Sequence, residues 1–381
     1  MAQQEFFGHN SVENLKLILN KHNPKNIFLV TGKKSYDGCG ARAILDVILQ
    51  PYKVTHFHDF EVNPKIKDVE KGIEKFKERE CDFVIAVGGG SALDVAKAVN
   101  LFSNNDESVL LTYSTNPENI INKGKTLVAI PTTSGSGSEA TQFSVLYKDK
   151  MKCSLAHKFI IPDYAIVDPQ FTINLPPYIT ACTGMDALSQ AIESYWCIDS
   201  TEESKDYARK AVKLIMKVLV DVVNNPTRES REAIAEASFL AGKAINISKT
   251  TACHAVAYPF TSYFGVPHGQ AVALTLAKML IYNSKVTEKD ILDGRGMNYV
   301  HETLKEIVGL VGAEDIQDAS KKITSLMEEI GLKTRLSGVG VKTDEDVKII
   351  VKHSFNLSRV NNTPRLLTEE ALRKDILEKI R

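Results

Sequence analysis

Two turns rich in glycine and small hydroxyl residues each follow directly on a short apolar run. The run at 82–87 ends in the turn Gly88-Gly89-Gly90-Ser91, and the run at 125–130 ends in Pro131 and the small-residue stretch 132–138. Helix-like stretches separate such runs along the first half of the chain. Strands that alternate with helices predict a parallel sheet with helices on its faces. Ligands of such sheets bind at the carboxyl ends of the strands, where these turns fall.

The two halves of the chain have different patterns. In the first half, a further apolar run at 26–30 ends at Thr31-Gly32, and helical stretches occupy 66–78 and 92–101. In the second half, apolar residues recur at helical spacing over 203–224, 228–244, 304–311, 316–330 and 368–380. We therefore predict an α/β nucleotide-binding domain with a mainly parallel sheet over 1–177. An all-α domain for metal and substrate follows over 178–381, with the boundary at Leu175-Pro176-Pro177.

The composition restricts the class of protein. The 381 residues carry 47 Lys plus Arg and 47 Asp plus Glu, which argues against a nucleic-acid or acidic-membrane partner bound through bulk charge. No apolar run approaches the roughly 18 residues that span a bilayer, and the N-terminus has no signal-peptide pattern. The six cysteines form no C-x-x-C pair. These features predict a reduced, cytoplasmic protein.

The glycine-rich turns have the chemistry of a phosphate site. Glycines at 88–90 let a phosphate approach the backbone, and the helix that follows offers free N–H groups at its positive end. Ser91 and Asp94 have the spacing of a capping box. The third glycine of the G-x-G-x-x-G fingerprint is missing. Taken singly, the first turn also fits a tight strand-to-helix connection, and the stretch 132–138 also fits a flexible surface loop. Two such loops on one sheet together favour a diphosphate site.

The second half contains candidate metal ligands. Asp186 and Gln190 are four residues apart and share one helix face, His254 and Tyr258 are spaced in the same way, and His268 lies at a turn. One carboxylate and two imidazoles suit a divalent transition metal with open coordination positions. A lone histidine is more often a packed or surface residue, and we assign that role to His22, His56, His58, His301 and His353.

Together these motifs resemble the iron-containing (group III) alcohol dehydrogenase family over nearly the whole chain. The matching segments are 88–91, 131–139, 183–193, 254–259 and 267–269. The resemblance implies the two-domain architecture shared with dehydroquinate synthase. It also implies that Asp186, His254 and His268 bind the metal, with Gln190 where the family usually has a further histidine. Tyr258 stands where a second histidine often lies near the nicotinamide, and its hydroxyl could relay a proton.

The family's cofactors are a nicotinamide dinucleotide and a divalent metal, here Fe(II) or Zn(II). We expect hydride transfer from NAD(P)H to an aldehyde carbon. Gly32 stands where NAD-preferring members often have an acidic residue, and Lys33 and Lys34 follow it. This favours NADPH and leaves NADH open. The expected cofactor contacts are Gly32, Lys33, Asn63, Gly88, Gly89, Gly90, Ser91, Asp94, Thr132, Thr133, Ser136, Ser138 and Lys152.

The residues before His254 suggest the substrate. The family has small residues there, whereas this chain has Ser248-Lys249-Thr250-Thr251. A lysine with flanking hydroxyls suits an anionic group. The segment resembles the branch that reduces phosphonoacetaldehyde to 2-hydroxyethylphosphonate, and it makes Lys249 a candidate catalytic and anion-binding residue alongside Tyr258. Further candidates for binding the anion are Ser248, Thr250, Thr251, His157, Lys158, Arg359 and Arg365.

Other functions stay open at this point. They are a general aldehyde or diol dehydrogenase of the same family, a lyase and cyclase resembling dehydroquinate synthase that recycles its NAD, and an inactive binding protein. We expect a homodimer or higher homo-oligomer whose partner is a small anionic aldehyde.

Overall fold

The computed structural model describes residues 3–106, 110, 112–113, 117–148 and 151–381. The chain divides into two compact units, Met1–Leu175 and Pro176–Arg381. The boundary predicted from the sequence, between 177 and 178, lies two residues further along the chain. Among the described residues, no helix is both long and apolar enough to cross a membrane.

The first unit is built on a six-stranded parallel sheet. The strands run in the order β1-β8-β5-β4-β2-β3, and β6 and β7 form a separate antiparallel pair. The strands are β1 (Gln4–Phe7), β2 (Asn26–Thr31), β3 (Lys53–Phe57), β4 (Phe83–Gly88), β5 (Thr126–Pro131), β6 (Phe143–Lys148), β7 (Met151–Ala156) and β8 (Tyr164–Val167). The helices are α1 (Asn14–His22), α2 (Ser35–Gly38), α3 (Ala41–Leu49), α4 (Ile66–Glu78) and α5 (Gly90–Phe102).

The central strands are largely apolar because helices cover both faces of the sheet. Along β4, Val84 and Ala86 pack into one apolar cluster, and Phe83, Ile85 and Val87 pack into another. Successive side chains of a strand point to opposite faces, so the two clusters lie on the two sides of the sheet. The predicted parallel α/β fold is confirmed.

The second unit is helical, as predicted. Its helices are α6 (Pro177–Trp196), α7 (Glu202–Asn224), α8 (Arg228–Ser248), α9 (Ala252–Phe264), α10 (His268–Asn283), α11 (Met297–Leu310), α12 (Ile316–Glu329), α13 (Asp344–His353), α14 (Leu357–Val360) and α15 (Glu369–Ala371). The helical pattern predicted over 368–380 is confirmed, as three consecutive helical segments over Glu369–Ala371, Leu372–Ile376 and Leu377–Ile380.

Helix α6 lies in the centre of this unit and sets up its polar site. Residues 184–196 of this helix are all buried, and its only charged residues are Asp186 and Glu193. Close packing against its neighbours needs glycine at two places. A Cβ on Gly184 would lie 2.3 Å from Cδ1 of Leu219 on α7, and one on Gly269 of α10 would lie 1.9 Å from the carbonyl oxygen of Cys182. The start of α10 is therefore held directly against α6.

Candidate active site

Three side chains of the helical unit form a compact ligand set. One carboxylate oxygen of Asp186 and one imidazole nitrogen each of His254 and His268 lie within 4.8 Å of one another. Nε2 of His254 is 3.4 Å and Nε2 of His268 is 3.9 Å from Oδ1 of Asp186. Asp186 and His254 are buried, while the His268 side chain is about one-third exposed (32%). A carboxylate and two imidazoles with one accessible side fit a divalent metal that keeps a position open for substrate.

Each ligand is positioned by the start or the middle of a helix. Asp186 lies on α6, His254 in the first turn of α9, and His268 is the first residue of α10. The close approach of Gly269 to the backbone of α6 brings His268 next to Asp186. The three ligands predicted from the sequence are therefore brought together.

Glu193, to which the sequence analysis gave no role, connects this ligand set to the start of α9. Its Oε2 contacts Nδ1 of His254, and its Oε1 accepts hydrogen bonds from the backbone N–H groups of Thr251 at 3.1 Å and Cys253 at 2.9 Å. The Thr251 hydroxyl donates to the same oxygen at 2.5 Å. Glu193 is fully buried. Nothing in its spacing could have revealed this, because its partners lie about 60 residues away in the sequence.

The buried carboxylates control the charge of His254. Burial lowers the pKa of this imidazole, but the carboxylates of Glu193 and Asp186 raise it, and the balance lies above the ordinary value. A metal ion binds Nε2 only when that nitrogen carries no proton, so metal binding competes with protonation of His254.

The two remaining predictions for this site concern Gln190 and Tyr258. Gln190 is buried one turn after Asp186 on α6, and its part as a fourth ligand stays a prediction. The Tyr258 ring lies one turn after His254 on α9 and stacks on the His268 ring, with 6.4 Å between centroids and 19° between planes. The role of its hydroxyl in passing a proton stays a prediction.

In the first unit, the two glycine-rich turns lie side by side. They follow the paired strands β4 and β5, with Gly88 opposite Pro131, and the backbone N–H of Thr132 donates to the carbonyl of Gly88 at 3.0 Å. A Cβ on Gly90 would lie 3.1 Å from Oγ of Ser136. No side chain of the described residues caps the N-terminus of α5, which begins at Gly90. An uncapped helix N-terminus beside small residues fits a diphosphate.

The capping box predicted from Ser91 and Asp94 is wrong. Gly89 is the N-cap of α5, so both residues lie inside the helix and their side chains have other partners. The Ser91 hydroxyl accepts from the backbone N–H of Asn63 at 3.3 Å. The Asp94 carboxylate accepts from the hydroxyl of Ser138 at 2.8 Å, which ties α5 to the second turn.

Lys97, one turn further along α5, strengthens that connection. Its buried ammonium contacts the carbonyl of Ser138 and donates to the carbonyls of Thr141 at 2.8 Å and Phe143 at 2.9 Å. Burial lowers its pKa to about 8, although the acidic groups of Asp94 and Glu139 oppose this. Lys97 therefore stabilises the conformation of the chain that follows the small-residue stretch 132–138.

The remaining predicted cofactor contacts lie around the same strand ends. Gly32 follows β2, and Lys33 next to it donates to Oε1 of Glu61 at 2.8 Å. Thr133 lies against Gly89, since a Cβ on Gly89 would be 3.3 Å from the Thr133 hydroxyl oxygen. Lys152 is half-buried on β7. Direct contact of each residue with a cofactor stays a prediction.

The candidates for binding the substrate anion are spread over both units. Lys158 and His157 belong to the first unit, where Lys158 lies over the Phe159 ring and His157 accepts from the Phe159 N–H. In the second unit, Arg365 is held by Asp290 and by the carbonyl of Tyr282. These contacts engage the side chains of His157 and Arg365 within their own units.

Lys249 and its neighbours form a continuous segment between α8 and α9. The Lys249 ammonium lies 3.4 Å from Oδ2 of Asp199. The hydroxyls of Ser248 and Thr251 are bonded in the interior, to Ser194 and Glu193 respectively. The Thr250 carbonyl accepts from the amide of Asn362, and that amide also donates to the carbonyl of Ser358 on α14. The helix that carries Arg359 is thereby joined to this segment.

Comparison with known proteins agrees with this site. The pattern of "Iron-containing alcohol dehydrogenase" matches residues 2–169, and that of "Fe-containing alcohol dehydrogenase family, C-terminal" matches residues 180–380. The chain belongs to the iron-containing alcohol dehydrogenase family. It is a metal-dependent, NAD(P)-linked oxidoreductase of aldehydes and alcohols, and its Asp/His site binds the metal ion.

Three relatives show the range of substrates. A structure of sulfoacetaldehyde reductase from Bifidobacterium kashiwanohense in complex with NAD+ is 33% identical, covers 97% of this chain and 95% of that one, and has a TM-score of 0.85. The NADPH-dependent butanol dehydrogenase of Clostridium saccharobutylicum is 31% identical and covers 97% of this chain and 94% of its own. The 1,3-propanediol dehydrogenase of Klebsiella pneumoniae is 30% identical, with 96% and 94% covered.

Proposed function

We propose that this enzyme reduces a small aldehyde that carries an anionic group, with phosphonoacetaldehyde as substrate and 2-hydroxyethylphosphonate as product. The electrons come from NAD(P)H, and the metal is Fe(II). The proposal depends on Lys249, because a phosphonate beside the aldehyde needs a cation close to the metal site.

The observation that carries the proposal is the backbone of Lys249. Its dihedral angles are φ 70° and ψ −179°, a region that only glycine adopts without strain. Such strain costs on the order of 1–3 kcal/mol. A glycine would remove it, so the presence of lysine supports a role for the ammonium. A simple helix terminus would not need this side chain.

The segment that follows Lys249 is anchored to the metal ligands. Thr251, two residues on, is bonded to Glu193 through both its N–H and its hydroxyl, and Glu193 contacts His254. This chain of contacts fixes the backbone next to Lys249 relative to the metal site. It supports an anion site close to the metal, as a substrate with one methylene between phosphonate and carbonyl requires.

The similarity to a sulfoacetaldehyde reductase also supports the proposal. Sulfonate and phosphonate are both tetrahedral anions with strong acceptor oxygens, and in both aldehydes one methylene separates the anion from the carbonyl. Among the relatives compared, this one acts on an aldehyde of the proposed class.

Each part of the proposed site has a separate role in the reaction. A divalent metal at the Asp/His site would polarise the aldehyde oxygen, and a reduced nicotinamide would supply the hydride. Tyr258, stacked on His268, passes a proton toward the product oxygen. Lys249 orients the anionic end of the substrate, which fixes the distance of its carbonyl from the metal ligands.

For the cofactor we propose a preference for NADPH. No carboxylate occupies position 32, and Lys33 and Lys34 follow it. In the structure Lys33 is paired with Glu61, so a 2′-phosphate would have to compete with that carboxylate. This exposed ion pair is weak and is screened by salt. Lys34 takes no part in the pair.

A second candidate is a dehydrogenase of neutral aldehydes or diols. The ion pair between Lys249 and Asp199 favours it, because a paired ammonium attracts an anion less strongly. The butanol and propanediol dehydrogenase relatives also favour it. A lyase and cyclase that recycles its NAD has no such support, because the chain belongs to a family of alcohol dehydrogenases.

The deciding experiment is NADPH oxidation by the metal-loaded enzyme with phosphonoacetaldehyde, sulfoacetaldehyde, butanal and propanal. We expect the anionic aldehydes to be reduced with at least tenfold higher kcat/KM than the neutral ones. Equal or better turnover of butanal would favour the second candidate. Light scattering of the same preparation tests the expected homodimer or higher oligomer.

A further inference from the structure

Glu193 provides a hydrogen-bond acceptor where helix α9 begins. The N-cap residue of this helix, Thr251, has no side-chain cap of its own. Oε1 of Glu193 takes that place, since it accepts from the N–H groups of Thr251 and Cys253 and from the Thr251 hydroxyl. The Thr251 hydroxyl in turn accepts from Nε1 of Trp196 at 2.9 Å. A carboxylate at a helix N-terminus satisfies otherwise unpaired donors and complements the helix dipole.

The other oxygen of the same carboxylate faces a metal ligand. Oε2 of Glu193 contacts Nδ1 of His254, and both side chains are buried. An ionised carboxylate only accepts hydrogen bonds, so Nδ1 must carry a proton. When His254 is neutral, the lone pair then lies on Nε2, the nitrogen that faces Asp186 at 3.4 Å.

We infer that Glu193 is a positioning residue that holds His254 in its metal-binding form. It fixes the proton on Nδ1, sets the plane of the imidazole, and anchors the helix that carries it. Glu193 thereby couples the capping of α9 to metal affinity. The inference does not depend on which aldehyde is the substrate.

The alternative is that Glu193 only caps the helix, and Glu193→Gln separates the two roles. Four donors, the N–H groups of Thr251, Cys253 and His254 and the Thr251 hydroxyl, converge on the position of Oε1. The amide oxygen of a glutamine must therefore occupy that position, and its NH2 group must face His254. This variant keeps the cap but donates to Nδ1. Nδ1 then accepts, the proton moves to Nε2, and Nε2 no longer offers a lone pair to the metal.

The experiment compares metal-free and zinc-loaded protein after selective ¹⁵N labelling of histidine. In the metal-free wild type, we expect the ¹⁵N signal of His254 to show a protonated Nδ1. In Glu193→Gln we expect an unprotonated Nδ1 and a protonated Nε2. We expect the Zn(II) dissociation constant, from competition with a chelator, to rise about 10–100-fold.

Thr251→Val is the matched control for the cap. It removes one donor to Glu193 and leaves the carboxylate in place, so it should lower the melting temperature of the metal-free protein. Nδ1 should stay protonated and the zinc dissociation constant should change less than threefold. A protonated Nδ1 in Glu193→Gln with unchanged zinc affinity would overturn the inference. Equal losses of zinc affinity in the two variants would overturn it as well, because capping alone would then explain both.

Discussion

The ammonium of Lys249 lies 3.4 Å from Oδ2 of Asp199, and both side chains are about half exposed (49% each). The pair is therefore weak, and an anionic substrate can compete for the lysine. We predict that Lys249→Ala lowers kcat/KM for phosphonoacetaldehyde about ten- to a hundredfold, since a charge-assisted contact is worth roughly 1.5–3 kcal/mol. Steady-state kinetics with acetaldehyde should show little change. An equal loss for both aldehydes would assign Lys249 a structural role.

Lys249→Gly sharpens this prediction because it also removes the ammonium but relieves the strained backbone. Compared with Lys249→Ala, it should have a melting temperature about 2–4 °C higher, which corresponds to a gain of about 1 kcal/mol. Both variants should lose activity toward the anionic aldehyde alike. Recovery of that activity in Lys249→Gly would mean that backbone geometry, and not charge, is what the substrate needs.

The metal site predicts a simple result for His268→Ala. Removing one of the three ligands should abolish stoichiometric metal binding and activity. The helical unit should stay folded because the His268 side chain is partly exposed. Metal content by mass spectrometry and circular dichroism measure the two effects. His301→Ala, on an exposed position of α11, is the control and should retain the metal. Full activity of metal-free His268→Ala would contradict the assignment.

The glycine-rich turns predict that Gly90→Val weakens cofactor binding strongly. A Cβ there already lies 3.1 Å from Oγ of Ser136, so the branched side chain must push the two turns apart or protrude toward the cofactor. Titration of NADPH fluorescence measures the dissociation constant, which should rise at least tenfold. Gly38→Val, at an exposed glycine with open space around it, should leave the constant unchanged. An unchanged constant for Gly90→Val would place the diphosphate elsewhere.

The sequence was most informative where burial or ligand chemistry leaves a local pattern. Strands β2, β4 and β5 are buried on both faces and therefore appear as apolar runs, whereas the edge strands β1 and β3 and the pair β6–β7 do not.

Asp186 and His254 could be found from residue type and family resemblance. Glu193 could not, because its role arises only when α6 and the start of α9 meet. The capping box at Ser91 failed because α5 begins two residues earlier than predicted, at Gly90, with Gly89 as its N-cap.

The pair of Lys33 and Glu61 predicts how cofactor preference can be changed. Glu61→Gln removes the carboxylate that occupies the Lys33 ammonium, so that lysine becomes available to a 2′-phosphate. We expect KM for NADPH to fall several-fold and KM for NADH to stay nearly constant. Lys33→Ala should shift the ratio in the opposite direction. If neither variant alters the ratio of the two KM values, the adenosine ribose does not lie beside this pair.

Glu139 makes the stability of the first unit depend on pH. The residue is 2% exposed, and burial raises the pKa of its carboxyl to about 7, although its own backbone N–H and Lys97 oppose this. The pKa in the folded protein thus lies above the ordinary value of 4.5. The stabilisation that comes from burying the protonated acid is complete below about pH 4.5 and is lost as the pH rises through 7.

Glu139→Gln replaces this acid by a neutral amide of similar shape, so the variant should not lose stability in that way. We predict that its melting temperature, relative to the wild type, increases between pH 5 and pH 8. The difference corresponds to at most about 3 kcal/mol, from roughly 1.4 kcal/mol per pKa unit. Glu74→Gln, on an exposed face of α4, controls for the loss of one surface carboxylate. A difference between Glu139→Gln and the wild type that does not change with pH would mean that the Glu139 carboxyl is ionised at both pH values, held so by the buried ammonium of Lys97.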